Sequence, residues 1–445
     1  MNFHEPVFMS LQQALLQTAE LSPTSFERFA QLIDPSWIEQ ALVLTGTVSL
    51  RRRRLPAERI IWLVVGMALF KNEPIWLIVQ QLGLSQGEGQ APVPSAVQAR
   101  QRLGEAPVAA LFEQLAAAWL AIEPPVTARF HGLRSYAVDG VVWSVPDSPD
   151  NREIFGGSQN QTSAGPWPQV RGVCLMDTYS HLIRAAQFGD YGVGELSYAH
   201  ALGEVVSDHS LTILDRAYYS AAFLLGWQQR GVERHWLMRA KTPLRHEIVQ
   251  TLGAGDWLVR LPVSPQARRQ HPELPEHWQA RLLEQIIDGK PRRYLTSLCD
   301  AKRYPAAQVA AHYRERWEIE LGYREIKQGL LGGELLRSKQ PELIRQELWG
   351  TLLAYNLIRQ EMRLMAEEQK VLPQRLSFQW LAIAIAGALR HCPTQTPATI
   401  PQRLSELRVQ ARHFLLPARR ERSYPRVVKP RPAKYPKKKN ASQLN

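Results

Sequence analysis

Cysteine is scarce in this chain. Cys174, Cys299 and Cys392 are the only three in 445 residues, far apart and with no CxxC pair among them. That excludes a disulfide framework or a zinc ribbon as the organising device, and it suits a reducing cytoplasm. Long apolar runs are missing too. The longest, Ile60–Phe70, has 11 residues, short of the roughly 20 that a helix needs to cross a bilayer, so it reads as a buried helix. No basic stretch followed by an apolar one opens the chain, so no secretory signal is expected. No internal repeat appears.

Acidic residues are in deficit. Lys and Arg number 54 against 41 Asp and Glu, a net charge of +13, and the pI is near 9.8. Such a balance points to a polyanionic partner, because phosphate contacts from Lys and Arg supply most nonspecific affinity for nucleic acid. A basic enzyme with a charged tail fits the total equally well. The distribution says more. Residues 401–445 hold 13 Lys or Arg against Glu406 and Glu421, an excess of 11, so the body is close to neutral. Hydrophobic residues make up 45% of the chain, enough for a sizeable core, and the length suits two or three domains.

From residue 8 to about 122 apolar positions recur at helical spacing, through Leu11–Leu16, Phe26–Leu32, Ile60–Leu69 and Val108–Leu120. Thr24 with Glu27 makes a capping-box start, and Pro23 precedes it. Arg51, Arg52, Arg53 and Arg54 sit just before Pro56, where a helix would begin. They, with Arg100 and Arg102, could meet DNA phosphates or lie on a solvated surface. Near Pro124–Pro125 the pattern turns to strands: Arg134–Val145, a hairpin of Val170–Asp177 and His181–Phe188, then Leu211–Leu214 and His235–Ala240. Pro146–Asn151 reads as a turn, and helices are expected at Glu195–Val206 and Tyr219–Arg230. This order is a mixed α/β arrangement. Residues 241–300 look like a β-rich insertion, with strands at Trp257–Leu261, Trp278–Ile287 and Arg292–Leu298. Helix returns at Ala306, continues to about Glu368, and recurs at Phe378–Leu389; after Pro417 the Pro- and Lys-rich tail suggests no packed structure.

Two acids stand out among these strands. Asp139 lies inside an apolar strand and Asp215 ends another, positions where a charge is costly without a partner or a cation. In a ribonuclease-H-like sheet the two strands would be neighbours. On the following helix Tyr313, Arg316, Glu320 and Lys327 fall at offsets of 0, 3, 7 and 14, within about a 60° arc. Such a stripe is unlike a core face, although an ion-pair ladder on an exposed helix would look similar. Glu318 points away from it.

These residues carry a resemblance. Tyr313, Arg316, Glu320 and Lys327 match the Y-x2-R-x3-E-x6-K signature of the bacterial transposases of insertion-sequence family four at every position and spacing. Asp139-Gly140 with Pro146-Asp147 and Asn151 resembles the family's first-Asp region, where Asp147 is the weaker rival acid. Asp215-Arg216-Ala217-Tyr218-Tyr219-Ser220 resembles the second. Leu336-Arg337-Ser338-Lys339 and Ala354-Tyr355-Asn356-Leu357-Ile358-Arg359 resemble the C-terminal flank.

The resemblance implies a DNA transposase with a ribonuclease-H-like catalytic core. By it, residues 1–123 form a helical DNA-binding domain, 124–240 and 301–395 the two parts of the core, 241–300 a β-rich insertion, and 396–445 a basic tail. Asp139, Asp215 and Glu320 would hold two Mg²⁺ ions, with Mn²⁺ able to substitute. Tyr313, Arg316 and Lys327 would grip phosphates beside the scissile bond. Arg216, Arg239, Lys241 and Trp257 are further candidates for DNA contact; Trp257 could instead be core. Expected partners are the terminal inverted repeats, target DNA and a second copy of the chain, with no membrane, in the bacterial cytoplasm at the nucleoid. A nuclease that cuts without joining, or a catalytically silent DNA-binding protein, would share many of these features.

Overall fold

The computed structural model describes residues 33–48, 55–85, 93–160, 163–164, 167–287, 289–391 and 414–416. The Thr24–Glu27 capping box, Arg51–Arg54, Cys392 and nearly all of the basic tail lie outside the described residues.

Five helices open the described chain: α1 (Pro35–Leu44), α2 (Ala57–Leu69), α3 (Ile75–Gln81), α4 (Val93–Leu103) and α5 (Ala106–Ala121). Asp34 caps α1, its carboxylate accepting from the Ser36 N–H at 2.9 Å, and Pro35 takes the first helical position, where its missing N–H costs nothing. Helix α2, the apolar run of the sequence, is buried almost all round.

Next come β1 (Arg134–Ser144), α6 (Pro149–Phe155), β2 (Gln169–Asp177), β3 (Ile183–Asp190), α7 (Glu195–Leu202), β4 (Ser210–Leu214), α8 (Ala221–Gln229) and β5 (Arg234–Arg239). Helix α6 replaces the expected turn at Pro146–Asn151. The Ser148 hydroxyl accepts from the Asn151 N–H at 3.2 Å and Pro149 sits at the first helical position, so local capping starts a helix there. Strands β6 (Glu247–Gly253) and β7 (Asp256–Pro262), α9 (Pro265–Gln270), then β8 (His277–Ile287) and β9 (Lys290–Thr296) follow.

These nine strands form one sheet in the order β3-β2-β1-β4-β5-β9-β8-β7-β6, and Gln159–Asn160 with Ser163–Ala164 makes a separate two-stranded one. Strand β1 is antiparallel to β2 and parallel to β4, and β4 is parallel to β5. The order 3-2-1-4-5 with those directions is the ribonuclease-H-like core. Strands β6 to β9, in the segment expected to be a β-rich insertion, continue this sheet. Strand β9 pairs antiparallel with β5, with Tyr294 opposite Arg239 and Thr296 opposite Leu237, which covers an edge that would otherwise stay open to pairing.

The chain then forms α10 (Ala306–His312), a 3₁₀ turn (Tyr313–Arg316), α11 (Trp317–Arg324), a π-helical segment (Glu325–Leu330), α12 (Pro341–Gln369) and α13 (Phe378–His391). The expected continuous helix to about Glu368 is therefore broken, with Gly332 at φ +63° in the turn before α12. One core joins Trp62, Leu63, Phe112 and Leu352 to the sheet residues Ala137, Val141 and Trp143 and to Ile319 on α11. The N-terminal helices thus share their core with one face of the sheet. Helices α12 and α2 approach so closely that a Cβ at Gly350 would lie 2.3 Å from the Val64 side chain, so only glycine fits there. A second core lies on the other face, with Val138, Leu214 and Met238 against Leu202 of α7 and Trp227 of α8. Among the described residues no helix is long and apolar enough to cross a membrane.

Candidate active site

The register of the sheet makes a notch beside Asp139. Strand β1 pairs with β4 from Arg134↔Ser210 to Val138↔Leu214, while its pairing with β2 continues past Asp139↔Cys174 to Ser144↔Gln169. After Leu214 the chain leaves the sheet at Asp215 in a 3₁₀ turn, Arg216–Tyr218. Asp139 and Gly140 therefore border the gap beyond the carboxyl end of β4, the side on which open α/β sheets bind ligands. The half-buried Asp215 carboxylate accepts the Arg216 N–H.

Helix α11 brings the third acid. Ile319 and Tyr323 bury its inner side, and the Tyr323 hydroxyl donates to the Asp139 carbonyl at 2.6 Å, tying the helix to β1. Glu320 looks toward the notch. One turn back, Arg316 reaches Glu320 Oε1 at 2.5 Å and Asp139 Oδ2 at 3.6 Å. Burial pushes the Asp139 carboxyl up to about 6. The Gly140 N–H and Arg316 pull it down, and the charges of Glu195 and Glu320 raise it further. The single guanidinium therefore leaves the local negative charge under-compensated.

The opposite side of this helical segment is held by a buried network. His181, in the turn between β2 and β3 at φ +61°, has Nε2 2.9 Å from Glu318 Oε2 and Nδ1 2.7 Å from Arg359 Nη2. Because Arg359 can only donate, Nδ1 accepts, and Nε2 carries the proton given to Glu318. Arg359 also pairs with Glu325, to which the Tyr355 hydroxyl donates at 3.1 Å. Asn356 bonds both backbone groups of Ile183, at 2.9 and 2.8 Å. Tyr355, Asn356 and Arg359, singled out in the sequence only as a flank, thus clamp the β2–β3 turn to the helical segment that carries Glu320.

Other sequence candidates fall as follows. Tyr313 is half-buried with its ring 5.2 Å from Tyr294, and Arg239, exposed, stands opposite Tyr294 in the sheet. Lys241 lies over the Tyr219 ring at 5.3 Å, and Arg216 is exposed. Lys327, in the π-helical segment, pairs with Glu334 at 2.9 Å. Asp147 pairs with Arg152 in the loop after β1, at 2.6 Å. Trp257 is half-buried against the second core. Arg100 requires a correction: it is 2% exposed, with Nε donating to Gln346 at 2.9 Å and Nη2 to Ser338 at 3.0 Å. It fastens α4 to α12 and the loop before it, out of reach of a phosphate. Arg102 is exposed.

Sequence reasoning missed Glu195, the first residue of α7. Its carboxyl group stands over Gly140, and the Tyr218 hydroxyl donates to it at 3.3 Å. The available signal was Gly140 itself, since glycine inside a strand often marks a close approach.

Comparison with known proteins settles the family. Residues 23–113 match the family described as the insertion element 4 transposase N-terminal region, and residues 131–357 match the transposase DDE domain. The chain belongs to the insertion element 4 family of DDE transposases. It is 43% identical to the transposase InsG of insertion sequence element IS4 from Escherichia coli (strain K12) over 415 residues, 92% of this chain and 93% of that one. It is 36% identical to the putative transposase InsZ of the same organism over 302 residues, 65% of this chain and 94% of that one. The protein is thus a DNA transposase, a DNA-cutting and DNA-joining enzyme of a class that depends on divalent metal.

Carboxylates suit such a metal, because their hard oxygens favour Mg²⁺ or Mn²⁺. Among the described residues no three of His, Cys, Asp and Glu enclose an ion-sized space, and the Arg316 guanidinium bridges Asp139 and Glu320. The carboxylate chemistry of the donor set suits such a cation.

Proposed function

We propose that this transposase cuts the ends of an insertion sequence and joins them to target DNA, with Asp139, Asp215 and Glu320 as its catalytic acids. The convergence of Asp139 and Glu320 on Arg316, beside the turn that begins at Asp215, carries this reading. The three acids would hold two Mg²⁺ ions, with Mn²⁺ as a substitute. Bound there, the ions would supply Lewis acidity to the attacking and leaving oxygens.

In the first step a water oxygen bonds to the phosphorus at the element's end, and the bond to the 3′ oxygen breaks to leave a 3′-hydroxyl. In the second, that hydroxyl oxygen bonds to a target phosphorus and displaces the target's own 3′ oxygen. The first step is a hydrolysis and the second exchanges one phosphoester linkage for another, so neither needs an external energy source.

Arg316 has two positions in this scheme. Without DNA it pairs with Asp139 and Glu320; with DNA it would turn to a phosphate beside the scissile bond, where a planar guanidinium binds in bidentate fashion. Tyr313 and Lys327 would grip neighbouring phosphates, and Arg216, Arg239 and Lys241 would make further contacts with DNA. We assign the terminal repeats and target DNA as substrates, a homodimer as the synaptic form, and the bacterial nucleoid as the place of action. A strand-transfer assay with element-end DNA and Mg²⁺ tests this. Joined product from the native chain and none from Asp215→Asn is the expected result. Cleavage with no joined product would favour a nuclease.

A further inference from the structure

Resting on that reading, we propose that Glu195 is a fourth carboxylate of the reaction centre and a ligand of its divalent metal, entering the notch from the sheet face opposite Glu320. Within β1, residues Asp139 and Gly140 face opposite sides of the sheet. Asp139 faces α11. Gly140 shares its side with Val138, which packs in the core that includes α7 and α8. Normally a sheet would separate two such groups. Here the pairing of β1 with β4 stops at Val138↔Leu214, so no neighbouring strand divides the two faces next to Asp139 and Gly140. A side chain from α7 can enter the gap from one face and a side chain from α11 from the other.

Glu195 is placed to do so. A Cβ on residue 140 would lie 2.2 to 2.6 Å from all three heavy atoms of the Glu195 carboxyl group. Strand β1 is bare at that position, and the acid fills the space. An ordinary explanation exists, since an acidic residue in the first turn of a helix is favoured by the helix dipole. That explanation does not require an inward side chain. Val193 and Gly194, just before it, are exposed, whereas Glu195 is half-buried. Its oxygen is held by the Tyr218 hydroxyl at 3.3 Å, and Tyr218 closes the turn that Asp215 opens. Glu195 is thus linked to the Asp139 strand by contact and to the Asp215 turn by a hydrogen bond.

Among the described residues no Lys, Arg or His lies within ion-pair distance of Glu195. A half-buried carboxylate beside another carboxylate, held only by a neutral hydroxyl, calls for a cation. A divalent ion in the notch supplies it, and four acids from β1, the turn after β4, α7 and α11 then surround the reacting phosphate.

The test is Mn²⁺ binding to the full-length chain without DNA, followed by calorimetry. Glu195→Gln keeps the shape and the Tyr218 bond, and should weaken Mn²⁺ affinity about tenfold or more with the melting temperature in chelator unchanged. Gly140→Ala, which displaces the carboxyl group, should lower affinity as well. Glu204→Gln, at an exposed acid paired with Arg230, should leave it unchanged. A measurement that needs no substitution uses Fe²⁺ with ascorbate and peroxide on the native chain. Backbone scission near residue 195, as well as near 139, 215 and 320, is expected. Native Mn²⁺ affinity in Glu195→Gln, or no scission near 195, overturns the proposal. If Asp139→Asn and Asp215→Asn also bind Mn²⁺ like the native chain, the assignment of the whole site fails with it.

Discussion

On the front of α11, Glu320 is about a third exposed and shares Arg316 with Asp139. On the opposite side of the same helical stretch, Glu318 and Glu325 are packed against His181 and a fully buried Arg359. Both sides carry acids beside an arginine, yet they meet opposite requirements. In the rear network each acid has a buried donor, Glu318 from His181 and Glu325 from Arg359, although Nη1 of Arg359 has no hydrogen-bond partner among the described residues, and removing Arg359 leaves Glu325 without its cation. At the front one guanidinium serves two acids, and the Asp139 carboxyl is pushed up to about 6 by burial. A separate donor for each acid makes the rear a structural support. The charge left uncompensated at the front is what a metal and a phosphate would use.

The comparison breaks first if the front acid can be neutralised without effect. Glu320→Gln should lower Mg²⁺-dependent end cleavage by at least about 10⁴-fold, the scale seen when a member of a catalytic set is removed. Its unfolding free energy should stay within about 0.5 kcal/mol of the native chain, because the site is partly solvated. Cleavage at the native rate would place the chemistry elsewhere.

At the rear the balance reverses. Arg359→Met leaves Glu325 buried without its cation and should destabilise the chain by about 3–5 kcal/mol, read from urea unfolding. At low temperature the folded fraction should still cleave within a few-fold of the native rate, since no rear group touches DNA or metal. A stable but inactive Arg359→Met would mean that the rear network sets the chemistry as well as the fold.

How much of this the sequence showed depends on range. Asp139 and Asp215 stand out in the sequence because each interrupts or ends a short apolar strand, and Glu320 because a helical stripe separates it from Glu318; their role as catalytic acids is proposed. That stripe assumed one continuous α-helix. The structure has a 3₁₀ turn before Trp317 and a π-helical segment from Glu325, and the Glu325 carboxylate within that segment meets Arg359 on α12, a contact no local pattern records. Arg100 looked like a surface base among basic neighbours; its burial is decided by Gln346 and Ser338, more than 230 residues away. The insertion read as strands from composition, but its place as a continuation of the β5 edge follows from pairing geometry. Glu195 was invisible for the same reason, since its role depends on where the β1–β4 register ends.

The smallest effect is a gain, and it tests whether the front is held at a cost. The Asp139 carboxyl has an ordinary value of 3.8 and is raised to about 6 in the folded chain. Below about pH 4 the group is neutral in both states and contributes no penalty. Between 4 and 6 the unfolded chain loses its proton first, so folding stability falls as pH rises; above 6 the full penalty, about 3 kcal/mol at one unit per 1.36 kcal/mol, is in place. That value already includes the attraction of Arg316, so Asp139→Asn should gain up to about 3 kcal/mol at pH 7 to 8, fading to nothing by pH 4 in thermal melts without metal. Adding Mg²⁺ should narrow the difference, because the native acid then gains a counter-charge that the amide cannot match. A gain that persists at pH 4 would trace the effect to packing. A loss at pH 7 would show that Asp139 and Arg316 form a satisfied pair like Glu325 and Arg359, and the distinction between the two sides of the helix would disappear.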